Sequence, residues 1–369
     1  MKELVEKITA RIAARGAIPF SDFMELALYC PDYGYYEREE DKIGRQGDFF
    51  TSPSVGPLFG QLIALWLTDH AASCLPGAGA SPMDRPEPLQ IVEAGAHRGD
   101  LARDILAWLR DNSPRLHETV RYTIIEPSNR RREWQKATLA VFLPAVRWLG
   151  GIEELEPITG VILSNELLDA FPIRRFRWNA SAETWSEAAV TLDAGSFAWA
   201  WITPKDPLPK PLDQVAAPLE DGFTIDIAPA AAEWWRAAAD RLARGSLLTF
   251  DYGLTTPELF LPHRREGTLR AYRRHRLCTD LLASPGEQDL TAHVDFSALQ
   301  TAGESAGLRT AFFGTQSSFL TSIASPHLQS PQGLGWTPQQ IRQFHTLTHP
   351  EHLGHKFRVL LQTRLPTVS

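Results

Sequence analysis

One stretch constrains this chain more than any other: Leu89-Gln-Ile-Val-Glu-Ala-Gly-Ala-His-Arg-Gly-Asp-Leu-Ala-Arg-Asp-Ile-Leu106. An apolar run gives way to a glycine-bearing turn and then to helical periodicity, so it reads as a buried strand, a tight turn and a helix start. Further along, Tyr122-Thr-Ile-Ile-Glu126 is a second apolar strand that ends in a carboxylate. A nucleotide-like cofactor needs this pair: a backbone bare enough to approach closely, and an acid that accepts from two ribose hydroxyls. The glycine spacing narrows the choice. A dinucleotide fold requires G-x-G-x-x-G and a helix N-terminus aimed at pyrophosphate. Here the frame is Glu93-x-Gly95-x-His97-x-Gly99, which argues against a nicotinamide-dependent oxidoreductase.

The rest of the chain keeps the same rhythm. Apolar segments at 121–126, 145–148, 160–164, 246–251, 308–313 and 355–363 alternate with helical patterns at 99–111, 129–140, 229–243, 294–306 and 337–348. That alternation predicts a doubly wound α/β fold on a mostly parallel sheet. Residues 3–15, 21–29 and 53–74 read as helices, with Ser21 at an N-cap. Residues 173–203 alternate in the strand manner and carry Trp178, Trp185, Trp199 and Trp201, the pattern of an antiparallel insertion. The expected organisation is an N-terminal helical cap over 1–75, a core over 89–172 and 229–369, and an antiparallel lid or substrate insertion over 173–228. Pro, Gly, Ala and Ser crowd residues 76–88 and mark a linker.

At 369 residues the chain can bury a sizeable core. Its net charge of −7 gives no general electrostatic drive toward nucleic acid or membrane. Cys30, Cys74 and Cys278 lie far apart in sequence, which suggests reduced thiols rather than a disulfide framework. No apolar run reaches membrane-spanning length, and Met1-Lys-Glu-Leu-Val-Glu-Lys carries acids instead of the apolar core of a signal peptide. The compartment expected from these features is the cytoplasm.

Several further motifs follow in order: Phe23-Met-Glu-Leu-Ala-Leu-Tyr29, Tyr33-Gly-Tyr-Tyr36, Gly47-Asp-Phe-Phe-Thr-Ser-Pro53, Glu126-Pro-Ser128 and Asn165-Glu-Leu-Leu-Asp-Ala-Phe-Pro172. Beyond them stand Asp251-Tyr-Gly253, Gly267-Thr-Leu-Arg-Ala-Tyr272 with His275, and Asp289-Leu-Thr-Ala-His-Val-Asp-Phe296. With the E-x-G-x-x-x-G frame, this set resembles the MidA-type S-adenosylmethionine (SAM) dependent methyltransferases from near residue 16 to near residue 363. The resemblance implies a class I, Rossmann-like methyltransferase fold: a seven-stranded, mostly parallel sheet with its last pair antiparallel, an N-terminal helical cap and an antiparallel lid. It also implies SAM as cofactor, a protein substrate methylated on an arginine nitrogen, and a link to respiratory complex I assembly. Neither a nucleic-acid partner nor a membrane span is expected, and a homodimer is left open.

The candidate cofactor-binding residues are Asp48, Thr51, Glu93, Gly95, His97, Gly99, Glu126 and Asn165. Glu126 is the ribose ligand, Glu93 faces the methionine ammonium or holds the loop, and Asp48 and Thr51 are implied by the resemblance alone. Family members carry glycine where this chain has His97, whose side chain would crowd the methionine end of SAM or require positive φ. That departure motivates an alternative, an assembly factor that keeps the fold for its surface and binds SAM poorly. Glu166 and Asp169 follow the fourth core strand, where ligands of open α/β sheets bind, and are candidates to clamp a guanidinium. Their alternative is helix capping with pairing to Arg174 or Arg175. His293 is a candidate proton acceptor alongside Asp295, which could equally cap a helix. No metal site is expected: Pro350 interrupts the His345, His349, His352 and His355 series, and no cysteine or paired acid accompanies it.

Overall fold

The computed structural model describes residues 2–38, 51–74, 88–212, 219–274, 276–328 and 335–364. The chain forms two compact units. One comprises Met1–Phe49, Leu168–Glu233 and Gly253–Leu299, the other Phe50–Leu167, Trp234–Tyr252 and Gln300–Ser369.

The second unit holds the large sheet. Its strands are β1 (Gln90–Ala94), β2 (Arg121–Ile125), β3 (Val146–Leu149), β4 (Ile158–Asn165), β5 (Leu242–Leu254), β6 (Arg309–Thr315) and β7 (Phe357–Arg364). They lie in the order β6-β7-β5-β4-β1-β2-β3. β7 runs antiparallel to both neighbours, and the remaining pairs are parallel. The last two residues of β5 belong to the first unit, where they pair with Val294–Asp295. Ile91, Ile124 and Ile162 are fully buried. Apolar runs such as Ile91-Val92 and Ile124-Ile125, rather than alternation, are what a parallel sheet covered on both faces selects.

The helices of this unit explain themselves locally. α1 (Leu58–Cys74) starts only after Gly56, whose φ of 142° breaks the helix expected over 53–74 into a 3₁₀ turn at Pro53–Val55 and α1. α2 (Asp100–Asn112) buries Leu101, Ala102, Ile105, Leu106 and Leu109 along one stripe; each large side chain there contributes roughly 1.5–3 kcal/mol. α3 (Asn129–Thr138) is capped by Ser128, which accepts from the Arg131 N–H. α4 (Pro229–Asp240), which belongs to this unit from Trp234 onward, buries Trp235, whose indole N–H donates to Gln362. α5 (Gln316–Leu328) was not expected, because Ser317, Ser318, Ser322 and Pro326 dilute a helical face that nonetheless buries Phe319, Leu320, Ile323 and Ala324. α6 (Pro338–Thr348) opens with a Thr337–Gln340 capping box.

The strand order reverses between β1 and β4, so the crevice at their carboxyl ends is a topological switch point.

In the first unit, helices Lys2–Arg15 and Phe20–Tyr29 bury Leu4, Ile8, Phe20, Phe23 and Met24 in one core. Antiparallel strands Arg174–Asn179, Thr184–Asp193 and Ser196–Ile202 occupy the tryptophan-rich stretch. Ile18–Pro19 and Thr224–Ile227 complete that sheet. The helix expected over 294–306 begins at Phe296, since Val294–Asp295 still pair as strand.

Candidate active site

The turn that leaves β1 needs left-handed backbone three times. Gly95 and Gly99 have φ of 74° and 84°, and His97 has φ of 46°. A Cβ on Gly95 would sit 2.9 Å from Leu167 Cδ1, so close approach as well as φ requires glycine there. The His97 carbonyl accepts from Gln135 Nε2 at 3.0 Å, and its ring meets Trp134 edge-on at 6.5 Å. Glu93 is buried and accepts from the Tyr122 hydroxyl at 2.6 Å. Burial, with Asp100 and Asp104 adding like charge, pushes its carboxyl up to about 7 despite that bond.

At the end of β2, Glu126 is only 2% exposed and held in one orientation. One oxygen accepts from the Ser128 N–H at 3.0 Å, the other from Gln135 Nε2 at 3.1 Å. Arg131 Nη1 stands 4.0 Å from the second oxygen, so the acid faces a cation as well. Gln135 in turn accepts from the Trp148 indole at 2.8 Å. One buried amide thus holds both Glu126 and the His97 turn, a role that nothing in the local sequence around Gln135 announces.

The end of β4 carries the second candidate acid. Glu166 has φ of 52°, a region non-glycine residues enter at a cost of about 1–3 kcal/mol. Its N–H donates to the Phe250 carbonyl at 2.9 Å, and the next N–H, on Leu167, donates to buried Asp251 at 3.2 Å. Glu166 Oε1 accepts from Asn165 Nδ2 at 2.9 Å and from the Ser52 N–H at 3.3 Å. Asn165 Oδ1 is buried with no hydrogen-bond partner. Its amide cannot be reversed, because a carboxylate only accepts and must face the NH₂ group. Thr51 turns its hydroxyl to the Ser54 N–H at 3.3 Å. Asp48 lies outside the described residues.

Glu93, Gly95, His97, Gly99, Glu126, Asn165, Glu166 and Thr51 therefore belong to one unit, while Asp169 and His293 belong to the other. There, the Asp169 carbonyl accepts from the Ala292 N–H at 2.9 Å. Tyr29 donates to the Ala170 carbonyl and Tyr36 to Asp289, each at 2.8 Å. The His293 N–H of the main chain donates to Thr268 at 3.2 Å, and its Nδ1 is buried without a partner. Burial, then Arg264 and Arg270, drive the imidazole down to about 4, so it is neutral at physiological pH. Asp295 accepts from Thr256 and from the N–H groups of Ser297 and Ala298, which is a helix cap. The rings of His345, His349 and His352 meet at tilted angles, with centroids 4.7 and 5.1 Å apart, and among the described residues no group of three or more His, Cys, Asp and Glu could hold a metal ion.

Residues 78–314 match the Methyltransf_28 family of S-adenosyl-L-methionine-dependent methyltransferases. The chain belongs to this family. A solved COG1565 superfamily protein from Burkholderia thailandensis, bound to S-adenosyl-homocysteine, is 30% identical with a TM-score of 0.82, covering 98% of this chain and 92% of that one. Curated relatives include the protein arginine methyltransferase NDUFAF7 homolog, mitochondrial, of Drosophila melanogaster, 28% identical over 335 residues, 82% of this chain and 70% of the relative. The Danio rerio NDUFAF7 is 27% identical over 386 residues, 97% of this chain and 86% of its own length. The fold is thus the class I, Rossmann-like methyltransferase fold, and the family's cofactor is SAM. The residues present fit it: a left-handed turn whose Gly95 has no room for a β-carbon and a buried, oriented acid at Glu126 lie in the unit that contains the switch point.

The expectation of a cytoplasmic location is corrected by the same relatives, which are mitochondrial by name. Among the described residues Cys30 and Cys278 are free, and free thiols do not distinguish one compartment from another. Among the described residues no helix is long and apolar enough to cross a membrane.

Proposed function

We propose that this methyltransferase transfers the methyl group of SAM to a guanidine nitrogen of arginine in a protein substrate, in the service of respiratory complex I assembly. The observation that carries the reading is Glu166: an acid in a strained left-handed turn at the carboxyl end of β4, with a second buried acceptor, Asn165 Oδ1, beside it. The curated relatives, named protein arginine methyltransferases, support the same acceptor.

SAM, when bound, supplies an electrophilic methyl group on a sulfonium sulfur. The ribose hydroxyls fall to Glu126, the ammonium to Glu93, and Gly95 lets the backbone approach. A guanidinium keeps its proton below about pH 12 and offers five N–H donors and no acceptor. A carboxylate that takes two of those N–H groups draws the positive charge toward itself, so the remaining nitrogen becomes the better nucleophile. The nitrogen that takes the methyl group would shed one N–H proton to solvent water, and S-adenosyl-homocysteine would leave as the thioether. The rest is alignment, which oriented side chains provide at no cost during the reaction. A net charge of −7 favours a cationic protein segment over nucleic acid.

His97 supports a second reading, a partner-binding assembly factor with impaired SAM binding, because a β-carbon and imidazole stand at a positive-φ position of the cofactor turn. One experiment separates the two. SAM and S-adenosyl-homocysteine are titrated calorimetrically into the wild type, Glu126→Ala and His97→Gly. Methyl-labelled SAM is then incubated with a protein extract and the labelled residues are mapped by mass spectrometry. Binding that Glu126→Ala abolishes, with label on arginine, supports the enzyme. Label on another residue type removes the arginine reading, and binding seen only in His97→Gly favours the assembly factor.

A further inference from the structure

A buried hydrogen-bond path ties three distant parts of the sequence to Glu166. The Leu347 carbonyl, in the last turn of α6, accepts from Gln316 Nε2 at 3.0 Å. Gln316 Oε1 accepts from the Ser52 hydroxyl at 2.9 Å. The Ser52 N–H donates to Glu166 Oε1 at 3.3 Å, and the same oxygen accepts from Asn165 Nδ2 at 2.9 Å. Ser52, Gln316 and Leu347 have no exposed surface. The Leu347 carbonyl is among the last four of its helix, which have no partner within the helix, so the Gln316 amide caps α6 while it receives Ser52.

Capping alone does not account for this arrangement. Ser52 is helical, with φ −55° and ψ −44°, although Pro53 follows it. A proline ring clashes with a helical residue before it and ordinarily drives that residue to extended backbone. Glu166, at the other end of the Ser52 bond, is also strained. One residue serves both ends: the Ser52 hydroxyl donates to Gln316 while its N–H donates to the acid. Ser52 and Gln316 each use both of their polar ends along the path, and such paired buried groups hold one another in place. Its far end has chemical meaning too: with Glu166 fixed, the Asn165 amide nitrogen must face it, and Asn165 Oδ1 is left as an acceptor for an N–H donor.

We propose that Ser52 and Gln316 are positioning residues for the Glu166 carboxylate, and that through Glu166 they fix Asn165 as a second acceptor for the substrate guanidinium. The inference rests on Glu166 acting on a guanidinium, as proposed above.

The test uses the full chain saturated with S-adenosyl-homocysteine, in the wild type, Ser52→Ala, Gln316→Met and Glu166→Gln. Ser52→Ala deletes one atom and guards against a Gln316 variant that does not fold. The Glu166 carboxyl is followed by NMR of protein labelled with ¹³C-glutamate, and N-acetyl-L-arginine amide serves as the guanidinium probe. A loosened Ser52 N–H bond should raise the Glu166 titration by about one unit and weaken the probe about fivefold, with S-adenosyl-homocysteine affinity unchanged. A merely structural path would lower the thermal midpoint and leave the Glu166 titration where it was; that outcome overturns the inference. If Glu166→Gln leaves probe binding unchanged, the guanidinium role of Glu166 falls instead.

Discussion

The two turns at the switch point solve the same backbone problem in opposite ways. After β1 the chain enters the left-handed region at Gly95 and Gly99, where the absence of a side chain removes the penalty. After β4 it enters that region at Glu166, where the penalty stands and is offset by hydrogen bonds received from Ser52 and Asn165 and by one donated to the Phe250 carbonyl. The turns touch, Leu167 lying against the bare α-carbon of Gly95. A glycine turn yields space and no chemistry; a strained acid turn yields an oriented charge and depends on the rest of the unit to stay in place. His97 is the mixed case, a side chain in the glycine-rich turn whose carbonyl is steadied by Gln135.

If that division of labour holds, damage to the two turns should separate binding from chemistry. The largest effect is expected for Glu166→Gln: turnover of the methyl acceptor should fall about 100- to 1,000-fold, as when a developing charge loses its partner, with SAM affinity within about threefold. A comparable loss of SAM affinity would collapse the distinction. Glu126→Ala should do the reverse, weakening SAM about 100-fold through two lost hydrogen bonds to a charged acceptor, as calorimetry would register.

A pH series sharpens the role of Glu93. Its carboxyl is raised to about 7, so it is mostly neutral below that pH and ionised above. An ammonium ligand prefers the ionised form, so SAM affinity should be at full strength above about pH 7 and should fall as pH drops through it, by up to about tenfold per unit. Glu93→Gln should flatten the profile; a wild-type profile that is already flat would remove the ammonium from Glu93. The same raised carboxyl has the opposite sign for folding, since its burial as a neutral acid favours the folded state below about pH 4.5 and the advantage is lost as pH rises through about 7. The smallest effect belongs to His97→Gly. Relief of left-handed strain and the added freedom of glycine in the unfolded chain nearly cancel, so stability in denaturant should move by no more than about 0.5 kcal/mol.

Much of the fold was legible because its signals are local. The apolar runs of β1 and β2, the glycine frame and the stripe of α2 are each readable within a dozen residues, and together they fix a doubly wound sheet. α5 was not legible, since its serines and Pro326 speak for a loop and only burial against its neighbours makes it a helix. The candidate site divides the same way. Gly95, Glu126 and Glu166 stand at strand ends and Gly99 at the start of α2, and they are visible as such. Gln135, Ser52 and Gln316 are polar residues in helices or turns, and their hydrogen bonds reach partners as far as 264 positions away. No periodicity or motif encodes such pairs; they exist only once the sheet has brought its strand ends together.

The Gln135 hub has a practical consequence. The Trp148 indole donates to the amide that also holds Glu126 and the His97 carbonyl, and Trp134 lies beside the His97 ring. Both indoles are half-buried, so their emission is sensitive to local polarity. The molecule therefore carries its own optical probe at the cofactor turn: occupancy can be followed in a fluorimeter without any label, and substituting Trp148 with phenylalanine would separate its signal from that of the other tryptophans.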